Sequence, residues 1–533
     1  MYNTIIIGAG ISGIFVLKHL IENNIRNVLV IDKNKFPFGV WDKRNHPGIF
    51  EETYCVSSRL YMTISDFPLT NTDAEFPNGE HITKYYNDYL KNFNLVKYLH
   101  MNEDVLKVNK INKNIWYIKT NKNFYKCKNL VIATGTTNRC LNFPKDNIFK
   151  KFSGKMYHCD EFKKIRNKLK NKKILIIGGS DYASDISELL KNSNELTLSV
   201  RNGVWFQNRT LGAYEAADMF YSRYVDFFVK NILGKKYFHD NVGEDDVFNM
   251  WGKGGHGIDD WKPKCDYLNS YYVKSREIIN SISKGLIDPK GKIINIKNNR
   301  VKFIDNDIKE FDVILFCTGY DALNCNKFLD DKYIKNRYKH IFSINDNNIF
   351  FVGFIRPYLT SIPMISELQS RWISDVIAKK VKLPSKTTMI SIDKKDKENQ
   401  KKEFPCSYKR IGGIVDPYDY CNMIGKNIGA NKNLFLLFLT DINLWYKVLF
   451  DSWNHHYFRL NDKDKKKILI AKKNINMIHK NKIEDKLKKK YIKGIVYKIE
   501  RVLIYIILPI FLITIIMLVY VLLKYLFKIK LKI

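Results

Sequence analysis

Short apolar runs that break at glycine set the pattern of this chain. Thr4 to Ile7 is such a run, rich in β-branched residues and therefore strand-like, and it ends in Gly8-Ala9-Gly10-Ile11-Ser12-Gly13. Helical spacing follows, with Ile14, Leu17, Leu20 and Ile21 on one face. Asn27 to Ile31 is a second strand that stops at Asp32. A second copy of the unit starts near Lys173. It has Ile174 to Ile177 as strand, Gly178-Gly179-Ser180-Asp181-Tyr182-Ala183 as turn and Asp185 to Leu190 as helix. Glu195 to Val200 is its next strand, ending at Arg201. Leu130 to Ala133 and Phe311 to Phe316 are further buried-strand patterns, closing in Thr134-Gly135 and in Cys317-Thr318-Gly319-Tyr320. The alternation predicts an α/β protein with two Rossmann-like dinucleotide-binding domains.

The pattern changes near the end. Asn461 to Arg501 is dense in lysine and predicts a basic linker over 461–501. Val502 to Leu523 then carries no charge. As a helix it would extend roughly 33 Å, against about 30 Å for a bilayer core, so a transmembrane helix is expected over 502–523. Pro509 is a kink that membrane helices tolerate. The lysines place the catalytic body on the cytosolic side and can hold anionic lipid headgroups.

A chain of 533 residues implies two or three packed units. Its 45% hydrophobic and 27% charged residues exclude disorder as the default. The formal charge of +35 admits nucleic acid, an acidic membrane or an anionic ligand. No nucleic-acid module accompanies it, and strings such as Asn112-Lys113-Asn114 read as solvated surface, so nucleic acid is not expected as a partner. Nine cysteines without C-x-x-C or zinc-ligand spacing point to free thiols in a reducing compartment and to no metal. The first residues show no signal-peptide pattern.

Each glycine of the first turn has a physical use. Gly8 makes the tight turn, Gly10 lets backbone approach a pyrophosphate, and Gly13 lets helix and strand pack closely. The helix start offers free N–H groups. Asp32 stands where a carboxylate accepts ribose hydroxyls. In the second turn Ser180 replaces the usual glycine, and Arg201 can grip a 2′-phosphate bidentately, favouring NADPH. Between the turns, Phe152, Gly154, His158 and Phe162 form F-x-G-x-x-x-H-x-x-x-F; by chemistry alone His158 reads as a satisfied structural histidine. No Ser-His-Asp or Cys-His constellation is legible.

With these residues in place the chain resembles the flavin-containing monooxygenases, whose fingerprint is that F-x-G-x-x-x-H pattern between two glycine turns. Further stretches are similar to the family's: Phe38-Gly39-Val40-Trp41, Ser65-Asp66-Phe67-Pro68, Ser199 to Trp205, Pro363 to Trp372 and Leu439-Thr440-Asp441. The resemblance implies FAD and NADPH as cofactors. It implies that dioxygen adds to the reduced flavin as a C4a-hydroperoxide and that an amine nitrogen or thioether sulfur takes one oxygen atom. The protein then supplies binding, orientation and a dry pocket. The implied FAD residues are Gly8, Ala9, Gly10, Ile11, Ser12, Gly13, Asp32, Lys33, Val40, Trp41, Thr134 and Gly135. The implied NADP residues are Gly178, Gly179, Ser180, Asp181, Tyr182, Ala183, Ser199 and Arg201. An FAD domain over 1–160 and 310–460, with an NADPH domain over 161–309 inserted, would enclose the active site. The endoplasmic reticulum is the membrane the resemblance suggests, and self-association is left open.

One departure matters. Val56 stands where animal members carry an asparagine near the flavin, and valine cannot hydrogen-bond a peroxide. Ser57 and Ser58 are the adjacent hydroxyls that can substitute, and they are the candidate catalytic residues. Failing that, the peroxide decays and the chain is an uncoupled NADPH oxidase releasing hydrogen peroxide. A Baeyer–Villiger monooxygenase is the other alternative, although Phe162 followed by Lys163 does not fit that fingerprint.

Overall fold

The structure is a computed structural model. It describes residues 1–46, 48–70, 74–112, 114–136, 141, 143–201, 203–207, 209–211, 215–233, 261, 263–265, 269–275, 277–320, 327–407, 413–478 and five positions between 512 and 520. β1 (Tyr2–Ile7), α1 (Ile11–Glu22) and β2 (Val28–Ile31) build the first strand–turn–helix–strand unit. β3 (Leu99–His100), β4 (Val105–Asn112), β5 (Ile115–Thr120) and β6 (Phe124–Ile132) follow. β1 lies between β2 and β6, parallel to both. Thr4 to Ile7 are buried, the continuous burial that a central parallel strand imposes.

The chain then enters a second sheet through β7 (Lys155–His158), β8 (Lys173–Ile177), α2 (Asp181–Leu190), β9 (Glu195–Ser199), β10 (Asp288–Lys290) and β11 (Val313–Phe316). The order is β10-β9-β8-β11-β7, all parallel. β12 (Arg337–Tyr338), β13 (Phe342–Ser343) and β14 (Ile349–Phe351) return to the first sheet, where β14 pairs with β6. α3 (Ile362–Ile377) packs on α1, and Ser12 Oγ donates to Ser366 Oγ at 2.9 Å where the two helices meet.

Two strands of this sheet correct the expected boundaries. β7 and β11 belong to the second sheet, so the exchange between units falls before Lys155 and after Phe316 rather than at 160/161 and 309/310. The reason is pairing: β8 needs a neighbour on each side, and β11 supplies one while β7 pairs beyond it. The basic linker over 461–501 is also corrected at its start. α4 (Lys465–Ile478) is a helix whose Ala471 and Ile475 are buried against the main core.

Among the described residues no helix is long and apolar enough to cross a membrane. The span expected over 502–523 lies outside them except for Leu512, Ile513, Ile516, Met517 and Tyr520, and Ile513 packs against the main core. The expectation of free thiols throughout fails at one pair. Cys265 and Cys406 form a disulfide, although 141 residues and no spacing motif separate them. Cys55, Cys127, Cys159, Cys317 and Cys421 are free and buried.

Two of the motif segments meet in a buried ion network. Lys18 of α1 pairs with Asp66, and Arg459 donates to Asp66 at 3.1 Å and to Glu367 of α3 at 3.0 Å. Ser65 N–H donates to Glu367 at 3.0 Å. Burial opposes the charge on Asp66 and Glu367, but the cations, Arg459 above all, hold both carboxyls below their ordinary range. Ser-Asp-Phe-Pro and Ser-Glu-Leu-Gln are thus fastenings between α1, α3 and the 455–459 turn.

Candidate active site

The first glycine turn is built to leave space at one point only. Gly8 has φ +112°, and a Cβ there would meet Ala133 O at 2.4 Å; a Cβ on Gly13 would meet Gly8 O at 2.1 Å. A Cβ on Gly10 would meet nothing within 4 Å. Gly10 caps α1 without a side chain, and the first turn of α1 holds no acidic residue. The open ground beside Gly10 therefore faces free N–H groups and the positive end of the helix dipole, which suits a pyrophosphate.

That ground belongs to a cavity of about 740 Å³. Gly8, Gly10, Ile11, Ser12, Asp32, Lys33, Val40, Trp41, Thr134 and Gly135 line it, while Ala9 and Gly13 lie beneath the turn. Asp32 accepts from Ala9 N at 2.7 Å and from Asn34 N at 2.8 Å. Burial raises its pKa against those two bonds. Phe38 N donates to Ala9 O at 2.8 Å, which seats Gly39-Val40-Trp41 on the cavity wall.

Val56 and Ser57 also line the cavity. Ser57 Oγ donates to Thr360 O at 2.9 Å, so its proton is committed to the backbone. Ser58 is not on the wall. It is fully buried and turned to Asp218, which accepts its N–H at 2.8 Å. Of the two candidate hydroxyls the fold brings only Ser57 to the cavity, because Ser58, the extended cap of the helix that begins at Arg59, faces the other way as successive residues of extended backbone do.

The second turn does not open into this cavity. Gly178 has φ +130°, a Cβ on it would meet Cys317 O at 2.3 Å, and its N–H donates to Ser199 O at 3.0 Å. Gly179 packs against Val200 and Val204, each at 3.1 Å from its would-be Cβ. Ser180 caps α2, its Oγ accepting from Ala183 N at 3.3 Å, so one helix-end donor is already used. Ser199 Oγ donates to Gly291 O at 2.7 Å. Arg201 is exposed just past the end of β9, Ala183 is buried, and Tyr182 packs on Phe50 from the first unit.

What joins turn to cavity is a pair that periodicity does not reveal. Tyr271 and Arg356 line the cavity. Arg356 donates to Tyr271 Oη at 2.5 Å, and Tyr271 Oη donates to Asp181 at 3.4 Å. Asp181 also accepts from Lys274 N at 3.0 Å. His158 is satisfied, as its chemistry suggested: it faces Gly319 O at 3.2 Å and accepts from Asp160 N at 3.2 Å. A Cys-His contact, absent from the sequence reading, exists all the same, with Cys159 Sγ 3.7 Å from His158 Nδ1. Among the described residues no cluster of His, Cys, Asp and Glu is arranged to hold a metal.

A mixed sheet with a parallel centre and an all-parallel sheet, each with a glycine turn at the carboxyl ends of its parallel strands, and a cavity with one open glycine define a two-nucleotide flavoprotein fold. The family model described as flavin-binding monooxygenase-like matches residues 2–525. The chain belongs to that family, and membership makes it an FAD- and NADPH-dependent monooxygenase. Flavin-containing monooxygenase 5 of Homo sapiens is 26% identical over 486 residues, which cover 85% of this chain and 88% of the relative. The N-oxide-forming dimethylaniline monooxygenase 2 of Cavia porcellus is 25% identical with the same coverage. The crystal structure of cyclohexanone monooxygenase from Rhodococcus sp. Phi1 bound to NADP+ matches with a TM-score of 0.60 at 16% identity. That match covers 80% of this chain and 97% of the other.

Proposed function

We propose that this enzyme uses NADPH and dioxygen to insert one oxygen atom into a soft nucleophile, an amine nitrogen or a thioether sulfur. The observation that carries the reading is the space left at Gly10 inside the 740 Å³ cavity, with Asp32 on its wall. Gly10 and the start of α1 would hold the pyrophosphate of FAD, Asp32 its ribose, and Val40 and Trp41 would flank the ring. When bound and reduced, the flavin supplies the activation of oxygen. The chain's part is to orient the cofactor, to bring the nicotinamide side from the second turn, and to keep water away. The relative named for dimethylaniline N-oxide formation supports a nitrogen substrate.

A second reading is uncoupled oxidation to hydrogen peroxide. Val56 favours it, since Ser57, the candidate hydroxyl on the wall, already donates to Thr360 O. NADPH consumption against a panel of amines, thioethers and ketones, with peroxide measured in parallel, separates the readings. Oxygenated product matching NADPH supports the first, and peroxide matching NADPH under every substrate defeats it.

We also propose that residues 502–523 anchor the enzyme in a membrane, the endoplasmic reticulum by the resemblance, with the catalytic body cytosolic. The uncharged run and the lysines before it support this. Flotation of the full chain with liposomes, lost on truncation before Val502, is the expected result; equal flotation of the truncated chain would refute it.

A further inference from the structure

We propose that Cys159 and Cys317 form a peroxide-reactive dithiol beneath the second glycine turn. The pair is invisible to motif searching because 157 positions lie between its members. The sheet brings them together. β7 and β11 are parallel neighbours whose register ends at His158 to Phe316, so Cys159, which opens a 3-10 turn, and Cys317 leave the paired ends of adjacent strands. Neighbouring strands lie about 4.8 Å apart, within the Cα separation of about 4.4–6.8 Å that a disulfide accepts. Both side chains belong to one core cluster, and Cys317 is the first-listed influence that lowers the Cys159 thiol.

A base is in place. His158 Nε2 lies 3.2 Å from Gly319 O, a carbonyl that can only accept, so Nε2 carries the proton. Nδ1 is then an acceptor, shared between the Asp160 N–H at 3.2 Å and Cys159 Sγ at 3.7 Å. The hydrogen bond from Cys317, then that with His158, outweigh burial and hold the Cys159 thiol down at about 6. Burial keeps Cys317 protonated, as the donor of the pair. Cys127, buried without such partners, is pushed up to about 12. The site packs toward the cavity wall through two aromatic contacts. The ring of Tyr320 lies 5.6 Å from that of His158 and 6.1 Å from that of His46, a residue of the cavity wall.

The oxidant is hydrogen peroxide, which is close to water in size. The Cys159 thiolate attacks one peroxide oxygen, the O–O bond breaks, and hydroxide leaves and takes the proton held by His158. Cys159 is then a sulfenic acid. Cys317 sulfur attacks Cys159 sulfur, the S–O bond breaks, and the departing hydroxide leaves as water with the Cys317 proton. Two thiols lose two electrons in total, and one peroxide becomes two waters.

The test uses full-length protein carrying Cys325→Ser, because Cys325 shares a tryptic peptide with Cys317. One equivalent of hydrogen peroxide is added, free thiols are alkylated, and the digest is read by mass spectrometry. The expected result is a Cys159–Cys317 cross-linked peptide that dithiothreitol reverses. Cys55, Cys127 and Cys421 should remain alkylated, with a rate at least tenfold below that of Cys159. In a further Cys317→Ser variant a dimedone adduct on Cys159 replaces the cross-link. Absence of the cross-link, or oxidation of Cys159 no faster than that of Cys127, overturns the proposal. The cross-link is read on the native pair, so it does not depend on the Cys317→Ser variant folding. The readout is independent of substrate turnover, so failure here and failure of the monooxygenase reading are distinguishable.

Discussion

Tyr271, on the wall of the flavin-sized cavity, donates through its hydroxyl to Asp181, the first residue of the helix behind the second glycine turn, at 3.4 Å. Arg356 donates to the same hydroxyl at 2.5 Å. One oxygen therefore ties the second glycine turn to the cavity wall. Tyr271→Phe removes the tie and leaves Arg356 without its acceptor. A bond to a charged group contributes about 1.5–3 kcal/mol. The expected outcome is unchanged flavin content with flavin reduction by NADPH slowed about tenfold or more, measured by anaerobic stopped flow.

Gly10→Val places a side chain in the one direction the turn leaves open. The folded variant should lose bound FAD and its yellow colour, with its far-ultraviolet circular dichroism kept. Full flavin content in that variant would refute the placement of the first site.

Arg201 is exposed just past the end of β9, where the adenosine 2′-position of NADPH would fall. Arg201→Ala should raise KM for NADPH about tenfold or more and leave that for NADH unchanged, as loss of a charge-assisted contact to phosphate predicts. Equal KM values for the two nucleotides in the wild type would remove Arg201 from the site.

Val56 adds no hydrogen-bonding group to the cavity wall. Val56→Asn supplies a donor there. The ratio of oxygenated product to hydrogen peroxide should rise in the variant, and an unchanged ratio would count against the role given to this position.

Glu367 is 1% exposed and faces Arg459 at 3.0 Å. Glu367→Gln removes one of the three carboxylates that face buried Arg459, at a cost of about 3–5 kcal/mol in urea unfolding at pH 7. The sign with pH follows from the lowered carboxyls. In the unfolded chain Glu367 and Asp66 titrate near pH 4, and in the folded chain below that. Their contribution is complete above the unfolded value and is lost as pH falls from there toward the folded values. Wild type should lose stability steeply below about pH 4, and the variant less steeply.

Sequence alone determined what depends on neighbours along the chain. Gly8, Gly10, Gly13 and Asp32 were legible because a positive φ, a close backbone approach and a carboxylate at the end of the second strand each need a given residue at a given offset. The two parallel-sheet units followed from unbroken apolar runs ending at glycine. Tertiary structure decided the rest, because those relationships join residues whose spacing carries no period. Local pattern marked β11 as a strand, but only sheet order shows that β7 pairs with it, which moved the boundaries and set Cys159 beside Cys317. The extended backbone at Ser58 faces its N–H to Asp218 and leaves its side chain off the cavity wall. The Cys265–Cys406 disulfide and the Asp181–Tyr271–Arg356 contact arise from loops that meet only when the core has packed, since side-chain bonds form by distance in space and not by distance along the chain.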